Sequence, residues 1–180
     1  KSAMVFDGAN LPVDKGTVGF SMRFSGRRGW NDGKRTWLLV AVPQVGESQT
    51  ITVDDGTGLA LYKDEDNTLV LGVYEFHDRR LSPDFRSAKS GYDVAEPDRI
   101  AARIPVGSTD KNAWAKVRVA WDRASGEVWL GFNDDLRRAP VNFRKAPWVV
   151  LLVGTPPQIG WSKDRGFDGD LDNLVIDART

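Results

Sequence analysis

The stretch Trp114-Ala115-Lys116-Val117-Arg118-Val119-Ala120-Trp121-Asp122, with Gly126-Glu127-Val128-Trp129-Leu130-Gly131-Phe132 shortly after it, decides how this chain folds. Val117, Val119 and Trp121 fall on one side of an extended strand and Lys116 and Arg118 on the other, a period of two. Val128, Leu130 and Phe132 repeat that pattern after Asp122-Arg123-Ala124-Ser125-Gly126, a polar turn. Two such strands joined by a short turn make an antiparallel hairpin with one buried face. Trp114 and Trp129 are in register with Lys116, Arg118 and Glu127, on the wetter face.

The same reading extends outward. In Thr17 to Phe24, Val18, Phe20, Met22 and Phe24 alternate with Gly19, Ser21 and Arg23. Arg35 to Val42 is a continuous apolar run, as expected of a strand covered on both faces. Gly58 to Lys63 and Thr68 to Phe76 flank the polar loop Asp64-Glu65-Asp66-Asn67 and form another hairpin. Ile100 to Val106, Pro147 to Val153, Gln158 to Trp161 and Leu171 to Ile176 complete about ten strands at spacings of roughly 8 to 15 residues, the pattern of an all-β antiparallel sandwich. No window sustains a 3.6-residue period. His77 to Arg99 is polar, contains Pro83 and Pro97, and is expected to be a functional loop or an insertion with a short helix. A single domain is expected over residues 1–180.

Composition narrows the function classes. Lys and Arg together number 25, as do Asp and Glu. This balance gives no basic surplus for nucleic acid, whose phosphates dominate affinity. The longest apolar runs, Trp37 to Val42 and Trp148 to Val153, are far short of the roughly 20 residues of a membrane-spanning helix. There is no Cys for disulfides or zinc thiolates and there is one His. The 20 Asp against 5 Glu favour turns and oxygen ligation over helices. The sequence starts at Lys1 without Met or an apolar leader, so a signal peptide, if there was one, is expected to have been removed or left out.

Three pieces of chain carry a family resemblance. They are Met4-Val5-Phe6-Asp7-Gly8 near the start, the Trp114 to Asp134 hairpin, and Ile159-Gly160-Trp161 followed by Phe167-Asp168-Gly169-Asp170-Leu171-Asp172-Asn173-Leu174-Val175-Ile176 at the end. In this order they resemble the laminin-G-like domains of the concanavalin A-like lectin and glucanase superfamily. The resemblance implies a two-sheet antiparallel jelly roll with one concave, partly solvated face that holds the ligand, on itself or on its rim loops, in sugar-binding relatives. That family usually places Asp-Gly at the second hairpin turn, where Asn133-Asp134-Asp135 stands here, so a longer turn is expected. The resemblance also implies one structural calcium ion where the first and last strands meet, with Asp7 and Asp172 as ligands. The competing expectation is that Asp7 caps a turn and Asp172 bonds backbone amides.

Fold alone does not give function, since this scaffold hosts lectins, adhesion domains, hydrolases and lyases. The ligand-binding candidates are Trp30, Asn31, Asp32 and Arg35 in the Gly-rich loop from Ser25 to Arg35, together with Trp114 and Trp129. A flat indole stacks on a pyranose, Asn and Asp bond sugar hydroxyls, and cations pair with acidic glycans. Weaker candidates are Trp161 to Arg165 and the region of Asp84, Arg86 and Tyr92. A retaining glycosidase would need two carboxyl groups about 5 to 5.5 Å apart, and Asp168, Asp170 and Asp172 lie on the closing strand rather than a catalytic one. A lyase would need a base such as Tyr74 or His77 with Arg79 and Arg80 masking the substrate carboxylate. The expectation is a non-catalytic, secreted or cell-surface bacterial module that binds a glycan, a polysaccharide or a cell-surface protein, with adhesion included. The alternatives are a polysaccharide lyase or glycoside hydrolase, and a purely structural surface or assembly domain.

Overall fold

Val18, Phe20, Met22 and Phe24 are all buried, while Gly19, Ser21 and Arg23 between them are partly exposed, as their alternation requires. The strand they form is one of eleven among the described residues of the computed structural model. It describes residues 3–7, 12, 14–24, 30–42, 51–81, 97–107, 112–143, 150–154 and 169–178, with residues 3, 5–7, 42, 51–55, 76–81 and 150–154 described by their backbone alone. In chain order the strands are β1 (Ala3–Asp7), β2 (Lys15–Phe24), β3 (Thr36–Val42), β4 (Ile51–Lys63), β5 (Thr68–Leu81), β6 (Arg99–Pro105), β7 (Ala115–Asp122), β8 (Glu127–Phe132), β9 (Asp135–Pro140), β10 (Val150–Gly154) and β11 (Gly169–Asp177). No helix occurs among the described residues.

The strands make two antiparallel sheets. One has six strands in the order β1-β10-β3-β4-β5-β6, the other five in the order β11-β2-β7-β8-β9. Between them lies the core, where Leu39, Leu59, Leu61, Leu71 and Val73 of the larger sheet face Val18, Met22, Val117, Val119, Leu130 and Phe132 of the smaller. Each such side chain contributes about 1.5–3 kcal/mol of burial. Gly16 permits a close approach, because a Cβ there would meet Pro12 Cγ and the Trp121 ring at 2.6 Å.

The two sheets differ on their outer faces. Trp37, Val40, Ala60, Tyr62, Val70 and Tyr74 of the six-stranded sheet are buried outside the central cluster. Pro97 lies over Gly72 on that side. From Thr36 to Ala41 the expected covering of this run on both faces therefore holds. The solvated sheet face belongs to the five-stranded sheet, where Lys116, Arg118, Leu136 and Arg138 are exposed.

Several expected boundaries need correction. β4 begins at Ile51 and β5 runs to Leu81, with Ile51 paired to Leu81 and Asp55 to His77, so His77 to Leu81 is strand and not loop. Backbone pairing holds this charged segment where its composition suggests a solvated loop. β9 follows β8 through the two-residue turn Asn133-Asp134, so the turn is short. Asn133 adopts φ 53, a left-handed conformation that Asn tolerates, and its Oδ1 accepts the N–H of Lys116 at 3.0 Å. The expected strand from Gln158 to Trp161 lies outside the described residues.

Candidate ligand-binding surface

Trp30 is where the sequence expectation and the structure part most clearly. Its side chain has no exposure, and its ring stands edge-on to Phe24 at 4.7 Å and to Phe132 at 5.1 Å. The indole N–H donates to the Ala113 carbonyl at 3.4 Å. β2 ends at Phe24 and β8 at Phe132, and the indole fills the end of the core between them. Trp30 is thus a packing residue, and it offers no face to a sugar. Asn31 beside it is exposed.

Asp32 and Arg35, the other two charged candidates of this loop, are held in internal ion pairs. Asp32 Oδ1 lies 2.8 Å from Lys63 Nζ, and the Lys63 side chain is wholly buried. The ammonium also donates to the carbonyl of Lys34 at 2.6 Å, to that of Asp64 at 3.3 Å and to Asn67 Oδ1 at 3.3 Å. Arg35 pairs with Asp64 at 3.0 Å, and its guanidinium lies 5.1 Å from the centre of the Tyr62 ring. Arg103 reaches Asp64 at 3.7 Å and Asp66 at 3.5 Å. This network ties the 30–35 loop to the β4–β5 hairpin. The sequence signal for it was the position of Lys63, which follows Leu59 and Leu61 on the core side of its strand.

Trp114 and Trp129 do lie on the outer side of the five-stranded sheet. Trp114 is 46% exposed, with the Arg23 guanidinium 5.0 Å from its ring centre. Arg23 Nε in turn donates to Asp170 Oδ2 at 2.6 Å. Trp129 is partly buried, opposite Ala120 on one side and Arg138 on the other. Six positions of β7 separate Trp114 from Ala120, about 20 Å at the rise of a strand. The structure therefore places the two indoles on one face, at opposite ends of it.

Similarity to solved structures is extensive in coverage and low in identity. A heptameric SAP-like pentraxin from Limulus polyphemus superposes with a TM-score of 0.54 at 15% identity, over 98% of this chain and 70% of that one. The CBM40 of the Ruminococcus gnavus IT-sialidase gives 0.54 at 11% identity over 100% and 91%. The binding domain of botulinum neurotoxin serotype D gives 0.58 at 10% identity over 99% of this chain and 37% of that one. The chain folds as a two-sheet antiparallel jelly roll. No protein-family model matches its sequence, nor does any curated protein.

The remaining site expectations can be placed on this jelly roll. β1 is an edge strand of the six-stranded sheet and β11 an edge strand of the five-stranded one, so the first and last strands are not hydrogen-bonded to each other. Asp172 is exposed and its Oδ1 accepts the N–H of Asn173 at 2.7 Å, in the competing role expected for it. The Asp7 side chain lies outside the described part of the molecule. No group of three or more His, Asp or Glu side chains that could hold a metal gathers among the described residues. Tyr74 is wholly buried, and β5 continues unbroken past it. Positions three apart on such a strand belong to opposite faces, so the strand end needed to bring Tyr74 and His77 together is missing. Trp161 to Arg165, Asp84, Arg86, Tyr92 and Asp168 lie outside the described residues.

One carboxylate has a clear electrostatic signature. The N–H of Ser125 above all, opposed by partial desolvation and helped by Lys15 and the N–H of Ala124, holds Asp122 below its ordinary pKa of 3.8. The distances are 3.2 Å to Ser125, 2.9 Å to Ala124 and 3.4 Å to Lys15. Asp122 closes the β7–β8 turn and pins it to the start of β2.

Proposed function

We propose that this jelly roll is a non-catalytic carbohydrate-binding module, secreted or displayed on a bacterial cell surface as part of a larger protein. The observation that carries the reading is Trp114, an indole nearly half-exposed at the rim with the Arg23–Asp170 pair beside it. Its ring offers an apolar plate for the C–H face of a sugar, and the guanidinium and carboxylate supply donors and acceptors for hydroxyls. The likeness to CBM40, of which 91% is covered, supports the same reading. Adhesion to a cell-surface glycoprotein is the same chemistry with the glycan attached to protein.

A glycan array probed with the purified chain tests this. Binding is expected, and Trp114→Ala should weaken it about tenfold or more, a loss of about 1.4 kcal/mol, with little change in melting temperature. The same chain incubated with a polysaccharide panel should release neither new reducing ends nor unsaturated products absorbing in the ultraviolet. Absence of any glycan binding would leave the structural or assembly role in its place.

A further inference from the structure

We infer that the glycan is an anionic, linear one, laid along β7 across the outer face of the five-stranded sheet. This rests on the carbohydrate reading above and adds the ligand's charge and path. Trp114, Lys116 and Arg118 occupy successive outward positions at the head of β7, and Trp129 lies beyond them across from Ala120. Consecutive outward positions are about 7 Å apart, so the four side chains line a track of about 20 Å with an indole at each end.

The positions beside this track are small. Ser21 is paired with Lys116, and Gly19 and Gly131 flank Arg118 on either side. A Cβ added at Gly19 would meet nothing closer than the Val117 carbonyl at 3.8 Å, so the surface there is low. Leu136, 56% exposed, borders Gly131 on the far side. Ser21, Gly19 and Gly131 thus leave low ground beside Lys116 and Arg118 for a chain of sugar rings running between the two indoles.

The charges decide the ligand's sign. Around the track, Lys15 is paired with Asp122, Arg23 with Asp170 and Arg138 with Glu127. Lys116 and Arg118 lack a carboxylate partner among the described residues, and Arg118 has only the Thr17 hydroxyl, at 3.4 Å from Nη2. Two like charges at neighbouring positions on one face repel each other, and a bound anion relieves that repulsion. A uronate carboxylate or a sulfate ester suits the site, since guanidinium binds either bidentately. Among the described residues of this face, Lys116 and Arg118 are the cations without an ion-pair partner, with the exposed Asp172 carboxylate in the same row beyond Ser21, so the face falls short of what a nucleic acid engages through its many phosphates.

The test uses the purified chain in isothermal titration at low salt, with four probes: an oligogalacturonate, a chondroitin sulfate oligosaccharide, neutral cellohexaose and a single-stranded oligonucleotide. The variants are Lys116→Ala/Arg118→Ala and Arg118→Lys. At least one anionic glycan should bind about tenfold more tightly than cellohexaose, with an affinity that falls as salt rises. The double variant should abolish that advantage while keeping its melting temperature, and Arg118→Lys should retain part of it. Preference for cellohexaose, or anionic binding untouched by the double variant, would remove this inference and leave the carbohydrate reading standing. Failure of every glycan would remove both. Equal affinity for the oligonucleotide would replace the inference with general polyanion attraction.

Discussion

The indole of Trp30 stands edge-on to Phe132, with ring centroids 5.1 Å apart and planes at 74°, so a residue of the loop after β2 closes the core at the end of β8. Its edge meets Phe24 in the same way. Edge-to-face contact sets the positive rim of one ring against the negative face of another. Truncation to Ala should cost about 3–5 kcal/mol, and the melting temperature should fall by about 10 °C. Trp30→Phe should recover part of the loss. A thermal melt that leaves Trp30→Ala close to wild type would return the residue to the surface.

Asp32 and Lys63 should respond unequally to substitution. Asp32→Asn leaves a buried ammonium facing only neutral oxygens, and breaking such a pair costs about 3–5 kcal/mol. Lys63→Met removes the buried charge and fills its path with an apolar chain, leaving Asp32 13% exposed and able to hydrate. Urea denaturation should therefore rank Asp32→Asn as the more damaging change. The opposite ranking would show that the ammonium is not what holds the loop.

Asp122 sets a pH dependence whose sign follows from its lowered pKa. The folded state favours the ionised form, so this contribution to stability is fully present above the ordinary value of 3.8 and is lost as pH falls from there through the folded value. Asp122→Asn should melt lower than wild type at pH 7, and the gap should narrow below about pH 3.8. A gap that stays constant across this range would assign the loss to something other than the charge.

Calcium gives a plain test of the resemblance. If Asp172 serves only to bond the Asn173 amide, as it does here, melting curves in calcium and in chelator should superpose. Binding at a hundredfold excess over Kd would add about 2.7 kcal/mol. An upward shift of several degrees would reinstate an ion between Asp7 and Asp172.

The sequence was most legible where one face is dry and the other wet. Val18 to Phe24 and Val117 to Phe132 announce their strands because a period of two separates core from solvent. Asp135 to Pro140 carries little of that signal. It is an edge strand in which only Ala139 is buried, and pairing with β8 rather than composition makes it a strand. The 30–35 loop misled for a different reason. A Gly-rich segment reads locally as solvated, but Trp30 answers to Phe132 and Asp32 to Lys63, partners brought near only by the fold. Trp114 and Trp129 were legible because register with Lys116, Arg118 and Glu127 suffices to assign their face.

The position of β2 has a consequence for how the molecule is made. Val18 is paired on one side with Val119 and on the other with Ile176. During synthesis β2 therefore emerges long before either neighbour, and its second edge stays unmatched until the last strand arrives. Strand pairing over such separations is slow to form, and an unmatched edge is a template for intermolecular pairing. Ending the chain before Gly169 would fix that transient state permanently, so truncated forms should be recovered as aggregates while the chain carrying β11 stays dispersed.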